Sequence, residues 1–233
     1  MLNMYYQNVG RARSKMDSIY LSLLNCNYDI VCLTETNFNA GVFDSEAIDT
    51  RYNVFRRDRQ DSCSLKSDGG GVLIAILKGY SVIRQTSWES RAEDVWVTLL
   101  PNDPKDQSLN ICLCYLPPDI SLHDLSDFYS SCQNNILGSG DNNSFFIVGD
   151  FNTANLEWHQ SSGRSFVPVD PKDSKAILLS DTMVTCDLRQ FNSIPNTFNR
   201  FLDLVLSDVE SVVVSEENLV CRTDQHHRAY LIS

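Results

Sequence analysis

Phe145-Phe146-Ile147-Val148-Gly149-Asp150-Phe151-Asn152 is the segment from which the rest of the chain is best read. Four apolar residues run without interruption into Gly149, the pattern of a strand buried on both faces. A glycine at that point lets the backbone turn, or be approached closely, where the strand ends. On an extended backbone residues i and i+2 point the same way, so Asp150 and Asn152 are expected to face one cleft. Layered α/β proteins gather their active sites at such strand ends. Taken alone, the segment reads equally well as a capped strand end.

The whole chain narrows the choice. Its 233 residues are enough for one α/β or sandwich domain with a substantial core, expected over 1–233. A hydrophobic content of 42% and a charged content of 21% are those of a globular protein. No apolar run approaches the roughly 20 residues that span a bilayer, so no membrane partner is expected. The N-terminus lacks a basic segment followed by an apolar one, the mark of a signal peptide. Strand-like sequence begins almost at Met1 and ends beside Ser233, as in a domain cut from a longer polyprotein. Cys32, Cys112 and Cys114, among eight cysteines, sit inside apolar runs as small core residues. With no Cys-x-x-Cys and no histidines at zinc spacing, thiols in a reducing intracellular compartment are expected. The net charge of −11 opposes a general grip on nucleic acid and leaves room only for a local basic face.

From the N-terminus, Leu2 to Asn8 reads as a strand ending in Gln7-Asn8. Ser14 with Asp17 three residues on reads as a helix N-cap, and Met16, Ile19, Tyr20, Leu23 and Leu24 follow at helical spacing. Asp29 to Leu33 is a second buried strand, ending in Thr34-Glu35-Thr36. A strand–helix–strand unit of this length makes parallel neighbours, which sets Asn8 beside Glu35. Gly69-Gly70-Gly71 precedes a strand rather than a helix, so a tight hairpin turn is expected, not a phosphate cradle. Glu93 to Leu99 and Leu109 to Tyr115 are further strands, the latter closed by Pro117-Pro118. Ser121 to Ile136 and Asp173 to Cys186 read as helices, and Leu202 to Leu206 as a strand carrying an acid that is costly to bury unpaired. Thr223-Asp224-Gln225-His226-His227 leads into the last strand-like run, Ala229 to Ile232.

Asn8, Glu35, Tyr115, Asp150, Asn152, Asp203, Asp224 and one of two histidines thus lie at strand ends. This ordered set resembles the endonuclease/exonuclease/phosphatase superfamily, which includes abasic-site endonucleases and DNase I. The finer resemblance is to the endonuclease domain of non-LTR (LINE-type) retrotransposons. It is carried by Gln7-Asn8-Val9, Leu33-Thr34-Glu35-Thr36, Gly69 to Ile74, Tyr115-Leu116-Pro117-Pro118, Gly149 to Asn152 with Trp158 after it, and Leu202 to Val205. Three features depart from it. Gln225 separates Asp224 from His226, where the family places its acid and histidine side by side. Arg228 stands in a proline position, and Gly10 where abasic-site enzymes carry an acid.

The resemblance implies a four-layer α/β sandwich, two mixed sheets packed face to face with helices outside. It implies a metal-dependent endodeoxyribonuclease using Mg²⁺ or Mn²⁺, with Glu35 as ligand and Asn8 and Asp224 beside it. Asp150 would orient or deprotonate the attacking water, and Asn152 would hold the water or the phosphate. His226 or His227 would donate to a phosphate oxygen, with the register of the following strand favouring His226. Asp203 would fix that imidazole, and Tyr115 would donate to the phosphate or the leaving oxygen. Partners would be a double-stranded DNA target, contacted through Arg11, Arg13, Thr197 and Arg200, and the element's own reverse transcriptase and RNA. A monomeric domain acting in the nucleus after cytoplasmic synthesis is expected. Arg56, Arg57 and Arg59 form a second basic cluster, and Arg189, Arg222 and Arg228 lie near the later motifs. Two alternatives stay open: a phosphatase or phosphodiesterase for inositol phosphates or lipids, and an inactive DNA-binding module.

Overall fold

A computed structural model describes residues 2–59, 68–103, 105–161 and 163–233. β1 (Met4–Asn8), α1 (Met16–Leu24) and β2 (Ile30–Thr34) form the first unit, and β1 and β2 pair in parallel with Asn8 opposite Thr34. β3 (Tyr52–Arg57) and β4 (Val72–Leu77) pair antiparallel and add to the edge of β2. β5 (Ser81–Arg84), β6 (Glu93–Leu100) and β7 (Ser108–Tyr115) open a second sheet, and α2 (Leu122–Gly138) crosses to β8 (Asn143–Asp150), parallel to β7. β9 (Glu157–Gln160), β10 (Phe166–Val169), α3 (Ser174–Thr185), β11 (Arg189–Gln190) and β12 (Asp203–Ser207) complete that sheet. β13 (Val214–Glu217) and β14 (Ala229–Ile232) return to the first. The six-stranded sheet runs β13-β14-β1-β2-β4-β3, and the eight-stranded one β5-β6-β7-β8-β12-β11-β10-β9.

Three apolar clusters define four layers. Met4, Tyr6, Ile30, Cys32, Ile74, Val95, Ile111, Leu113, Val148 and Val205 pack between the sheets. Trp96, Cys112, Phe128, Ile147, Leu179 and Leu204 join the outer face of the larger sheet to α2 and α3. Tyr5, Ile19, Leu23, Val31, Leu33 and Leu73 join that of the smaller sheet to α1. The architecture is the expected α/β sandwich.

The two-residue period of the strands positions everything that follows. The residues that fill the inter-sheet core are alternate ones, and on β1, β2, β7 and β8 the series ends in a polar side chain. Met4 and Tyr6 lead to Asn8, Ile30 and Cys32 to Thr34, Ile111 and Leu113 to Tyr115, and Phe146 and Val148 to Asp150. Asp203 precedes Val205, and Glu93 precedes Val95, on the same face. Gly149 is required by close approach, since a Cβ there would lie 2.0 Å from the Cys114 carbonyl oxygen.

Two local expectations need correction. Ser14 does not cap α1: Ala12–Ser14 form a 3-10 turn and Lys15 is the N-cap, with no side-chain cap. Lys15 Nζ donates instead to the Val9 and Gly10 carbonyls, and that tie fixes where α1 starts. Gly69-Gly70-Gly71 is not a simple hairpin turn either. All three residues have positive φ, and the Gly70 and Gly71 carbonyls accept from the amides of Asn37 and Thr36. The glycine run therefore braces the segment that carries Glu35.

Candidate active site

The polar ends of the inter-sheet strands meet in one buried cluster. Asp203 and Asp150 face each other directly across the antiparallel β12–β8 ladder, and Tyr115 is level with Asp150 on the other side. Asn8 Nδ2 donates to Glu35 Oε1 at 3.1 Å and to Asp150 Oδ2 at 3.1 Å. Glu35 and Asn152 sit in left-handed backbone conformations, with φ of 56° and 51°. Continued extension would send Glu35 away from the face that Thr34 occupies. The left-handed step returns its carboxylate to Asn8, and such strain is held only where the surroundings over-determine it.

His227 completes the cluster. Its Nδ1 lies 2.9 Å from Asp203 Oδ2, and its Nε2 lies 3.3 Å from Asn8 Nδ2 and 3.9 Å from Asp150 Oδ2. The second oxygen of Asp203 accepts from the Tyr6 hydroxyl at 2.6 Å, so the carboxylate that orients the imidazole is itself fixed from inside the core. Burial pulls the His227 pKa down, but Asp203, by charge and hydrogen bond, and Asp150 outweigh it and bring it up to about 9. The ring is therefore an imidazolium near neutrality, with Nε2–H directed into the cleft. Burial first, then the charges of Asp203 and Glu35, push Asp150 well above the usual carboxylate range.

These residues fit a divalent cation. Ligand atoms of Glu35, Asp150 and His227 lie within 4.8 Å of one another. Glu35 and Asp150 supply the hard oxygen ligands that Mg²⁺ or Mn²⁺ prefers, whereas His227, committed through Nδ1 to Asp203, is better suited to donate a proton. The carboxylates of Glu35, Glu93, Asp150 and Asp203 face only Arg59 and His227 as cations among the described groups of the cluster. A bound divalent ion would relieve that excess of negative charge.

Not every residue expected here arrives. His226 is exposed and stacks on Phe198, with ring centroids 4.6 Å apart, so the register argument that favoured it fails. Asp224 is exposed too, and its Oδ1 accepts from the His226 amide. That turn coils the segment, so a count back from β14 along an extended chain does not apply. Asn8 presents its NH₂ group to both carboxylates while its Oδ1 accepts from the Gly10 amide, which makes it a spacer rather than a ligand. Asn152 is turned by its φ, so the shared extended face drawn for it and Asp150 does not hold. Its amide donates to Asp150 Oδ1 and its Nδ2 to the Leu116 carbonyl. Arg56 and Arg57 are not a free basic face, being paired with Asp44, Asp58 and Asp94. Arg11, Arg13, Thr197 and Arg200 are exposed.

The reading of the sequence missed Tyr6, Thr34 and Glu93. All three obey the same alternation as Asn8 and Asp150, and extending that rule to every inter-sheet strand finds them.

Two mixed sheets with a carboxylate, amide and imidazole cluster at one end of the space between them define a hydrolase-type sandwich. The chain matches the Endonuclease/Exonuclease/phosphatase family over residues 2–222, and it belongs to that family. No curated protein sequence matches it. Among solved structures it is similar to the endonuclease domain of TRAS1, a telomere-specific non-LTR retrotransposon, at 13% identity, 99% of this chain, 97% of that one and a TM-score of 0.67. The AP endonuclease LMAP from Leishmania major shares 13% identity over 99% of this chain and 86% of its own, with a TM-score of 0.71. A 3′ phosphatase, NExo, from Neisseria, bound to a product DNA hairpin, gives 12%, 100%, 99% and 0.64. At such identities these likenesses show the fold.

Proposed function

We propose that the protein is a metal-dependent DNA endonuclease that nicks one strand by phosphodiester hydrolysis. The observation that carries this is the buried Asp203–His227 pair facing Asp150 and Glu35 across one cleft. Mg²⁺ or Mn²⁺ held by Glu35 and Asp150 would neutralise the phosphate and favour attack on it. Asp203 accepts from Nδ1–H of His227, and Nε2–H donates to a non-bridging phosphate oxygen as charge builds there. Asp150 orients the attacking water and takes its proton, with Asn8 fixing the carboxylate and Asn152 bracing it through its backbone amide. Tyr115 donates its hydroxyl hydrogen to the phosphate or the leaving oxygen. Arg11, Arg13, Thr197 and Arg200 contact the duplex backbone, so binding weakens steeply with salt.

The motif sequence and the likeness to the TRAS1 domain support a finer assignment, to the endonuclease of a LINE-type element. In that setting the nick leaves a 3′-hydroxyl that primes reverse transcription of the element's RNA by its own polymerase domain. This domain would act as a monomer in the nucleus. The test is nicking of supercoiled plasmid with Mg²⁺ or with EDTA, by the parent, Glu35→Ala and Asp150→Ala. Metal-dependent nicking by the parent alone, with ends extended directly by a polymerase, is the expected result. Equal nicking by all three overturns it, and release of phosphate from soluble inositol phosphates without nicking favours the phosphatase alternative.

A further inference from the structure

At the edge of the cluster just described lies a buried ion pair that the mechanism does not use. Arg59 follows β3, and its Nε donates to Glu93 Oε1 at 2.8 Å, with both side chains at least nine-tenths buried. The guanidinium lies over the Tyr115 ring, 5.6 Å from its centroid, and its Nη1 donates to the Asp68 carbonyl at 2.6 Å. Glu93 and Tyr115 are direct partners in the β6–β7 ladder, and Glu93 Oε2 accepts from the Gly71 amide. A Cβ on Gly70 would meet Glu93 and Arg59 at 2.2 and 2.4 Å, so this pair and the glycine turn are packed with no space between them.

A buried ion pair is weak evidence for stability, because desolvation offsets much of the attraction, so a second role is worth seeking. The surroundings of Tyr115 supply one. Glu35, Asp150 and Glu93 all act on its hydroxyl as negative charges, and Arg59 is the cation that opposes them. A guanidinium fixed over the ring face opposes those charges and holds the phenol in one place. The fork of Arg59 is planar and fixed on Glu93 and the Asp68 carbonyl, so it sets the position of the ring as well as the local charge.

We propose that Arg59, seated on Glu93, is the positioning residue for Tyr115, holding the phenol ring where its hydroxyl can reach the substrate phosphate. The kinetic part rests on the nuclease reading above; the contact itself does not. The decisive measurement is a double-mutant cycle for plasmid nicking with Arg59→Met and Tyr115→Phe. Arg59→Met should lower kcat about tenfold or more with KM nearly unchanged, the scale of a misplaced proton donor. On the Tyr115→Phe background the same change should cost less than about twofold, because its target is gone. Arg59→Lys, which keeps the charge without the fork, should recover part of the loss. Losses that multiply, or a kcat insensitive to Arg59→Met, overturn the proposal.

Arg59→Met leaves Glu93 buried without its cation. The cycle is therefore repeated with Arg59→Met/Glu93→Gln, which removes both charges. A second readout needs no activity. The ¹³C resonance of the Tyr115 ring carbon bearing the hydroxyl, assigned by its loss in Tyr115→Phe, should move in Arg59→Met and return toward the parent in Arg59→Lys. An unmoved resonance removes the contact, whereas a parent that fails to nick while the resonance moves removes only the nuclease reading.

Discussion

The two ends of the inter-sheet core carry opposite chemistry on the same strands. At the far end Met4 of β1, Leu109 of β7, Phe146 of β8 and Ile232 of β14 line an apolar recess with Leu2 and Val209. At the near end the inward positions of β1, β7 and β8 have become Asn8, Tyr115 and Asp150, joined by Asp203 of β12 and by His227. The far end is ordinary hydrophobic packing. The near end holds like charges opposite one another on adjacent strands, and left-handed backbone at Glu35 and Asn152. Stability is thus concentrated at one end and chemistry at the other, so mutations at the two ends should separate the two properties.

The largest separation should come from Asp150. Asp150→Asn is expected to lower kcat for nicking about a thousandfold or more, roughly 4 kcal/mol. The same change relieves the burial of a charge and the repulsion with Asp203 and Glu35, which together raise the Asp150 pKa, so urea denaturation in EDTA should show an equal or higher midpoint. A destabilised Asp150→Asn would mean that the carboxylate is a structural keystone. Phe146→Ala, four residues earlier on the same face, should do the reverse. Loss of a 9%-exposed aromatic should cost about 3 kcal/mol in urea denaturation, with kcat within about threefold of the parent at a temperature where the variant is folded.

Protonation sharpens the contrast further. The His227 pKa rises from 6.5 in the unfolded chain to about 9 in the fold, so the folded state binds more protons between those values. Its contribution is fully present below pH 6.5 and is lost as pH rises through about 9. The upper limit is roughly 3 kcal/mol, from about 1.4 kcal/mol per pKa unit. In EDTA the parent should therefore lose stability from neutral to pH 9.5, and His227→Gln should flatten that slope. Added Mg²⁺ should reduce the slope in the parent, since a cation beside Asp150 weakens the hold of the carboxylates on the imidazolium. A slope unchanged by His227→Gln would remove the Asp203–His227 ion pair as its cause.

How much of this was legible follows from where local rules apply. Asp150, Asn8, Tyr115 and Asp203 end or begin apolar runs, and an alternation of two residues carries directly from sequence to space. Glu35 was legible through the parallel β1–β2 unit, although the backbone step that aims it was not. The failures lie where the chain leaves extended geometry. Ser14 loses its capping role to a 3-10 turn tied down by Lys15. Arg59 reads as one of three clustered surface cations, because nothing local shows that Glu93, 34 residues on, will bury it. The two adjacent histidines are the clearest case. Phe198 stacks on His226, and Asn196 Nδ2 holds the His226 carbonyl at 3.0 Å. Long-range contacts, and not the register of β14, therefore send His227 inward.

The smallest expected effect tests that last assignment. The family resemblance puts an acid next to the histidine, and Asp224 is the acid nearest to it upstream. In the structure Asp224 is exposed and its carboxylate is spent on the His226 amide. Asp224→Asn keeps an acceptor for that amide and removes only an exposed charge, so stability should change by less than about 0.5 kcal/mol. Among the charges that raise the His227 pKa, Asp224 comes after both Asp203 and Asp150. Asp224→Asn should therefore leave nicking within about threefold of the parent, in the range of rim charges rather than buried partners. Asp203→Asn should lose at least about a hundredfold, because it leaves Nδ1–H of His227 without its charged acceptor. If the two losses were equal, the segment would have to rearrange on binding metal or DNA and carry Asp224 into the cleft. The stack of His226 on Phe198 would then be a resting state and not a fixed part of the site.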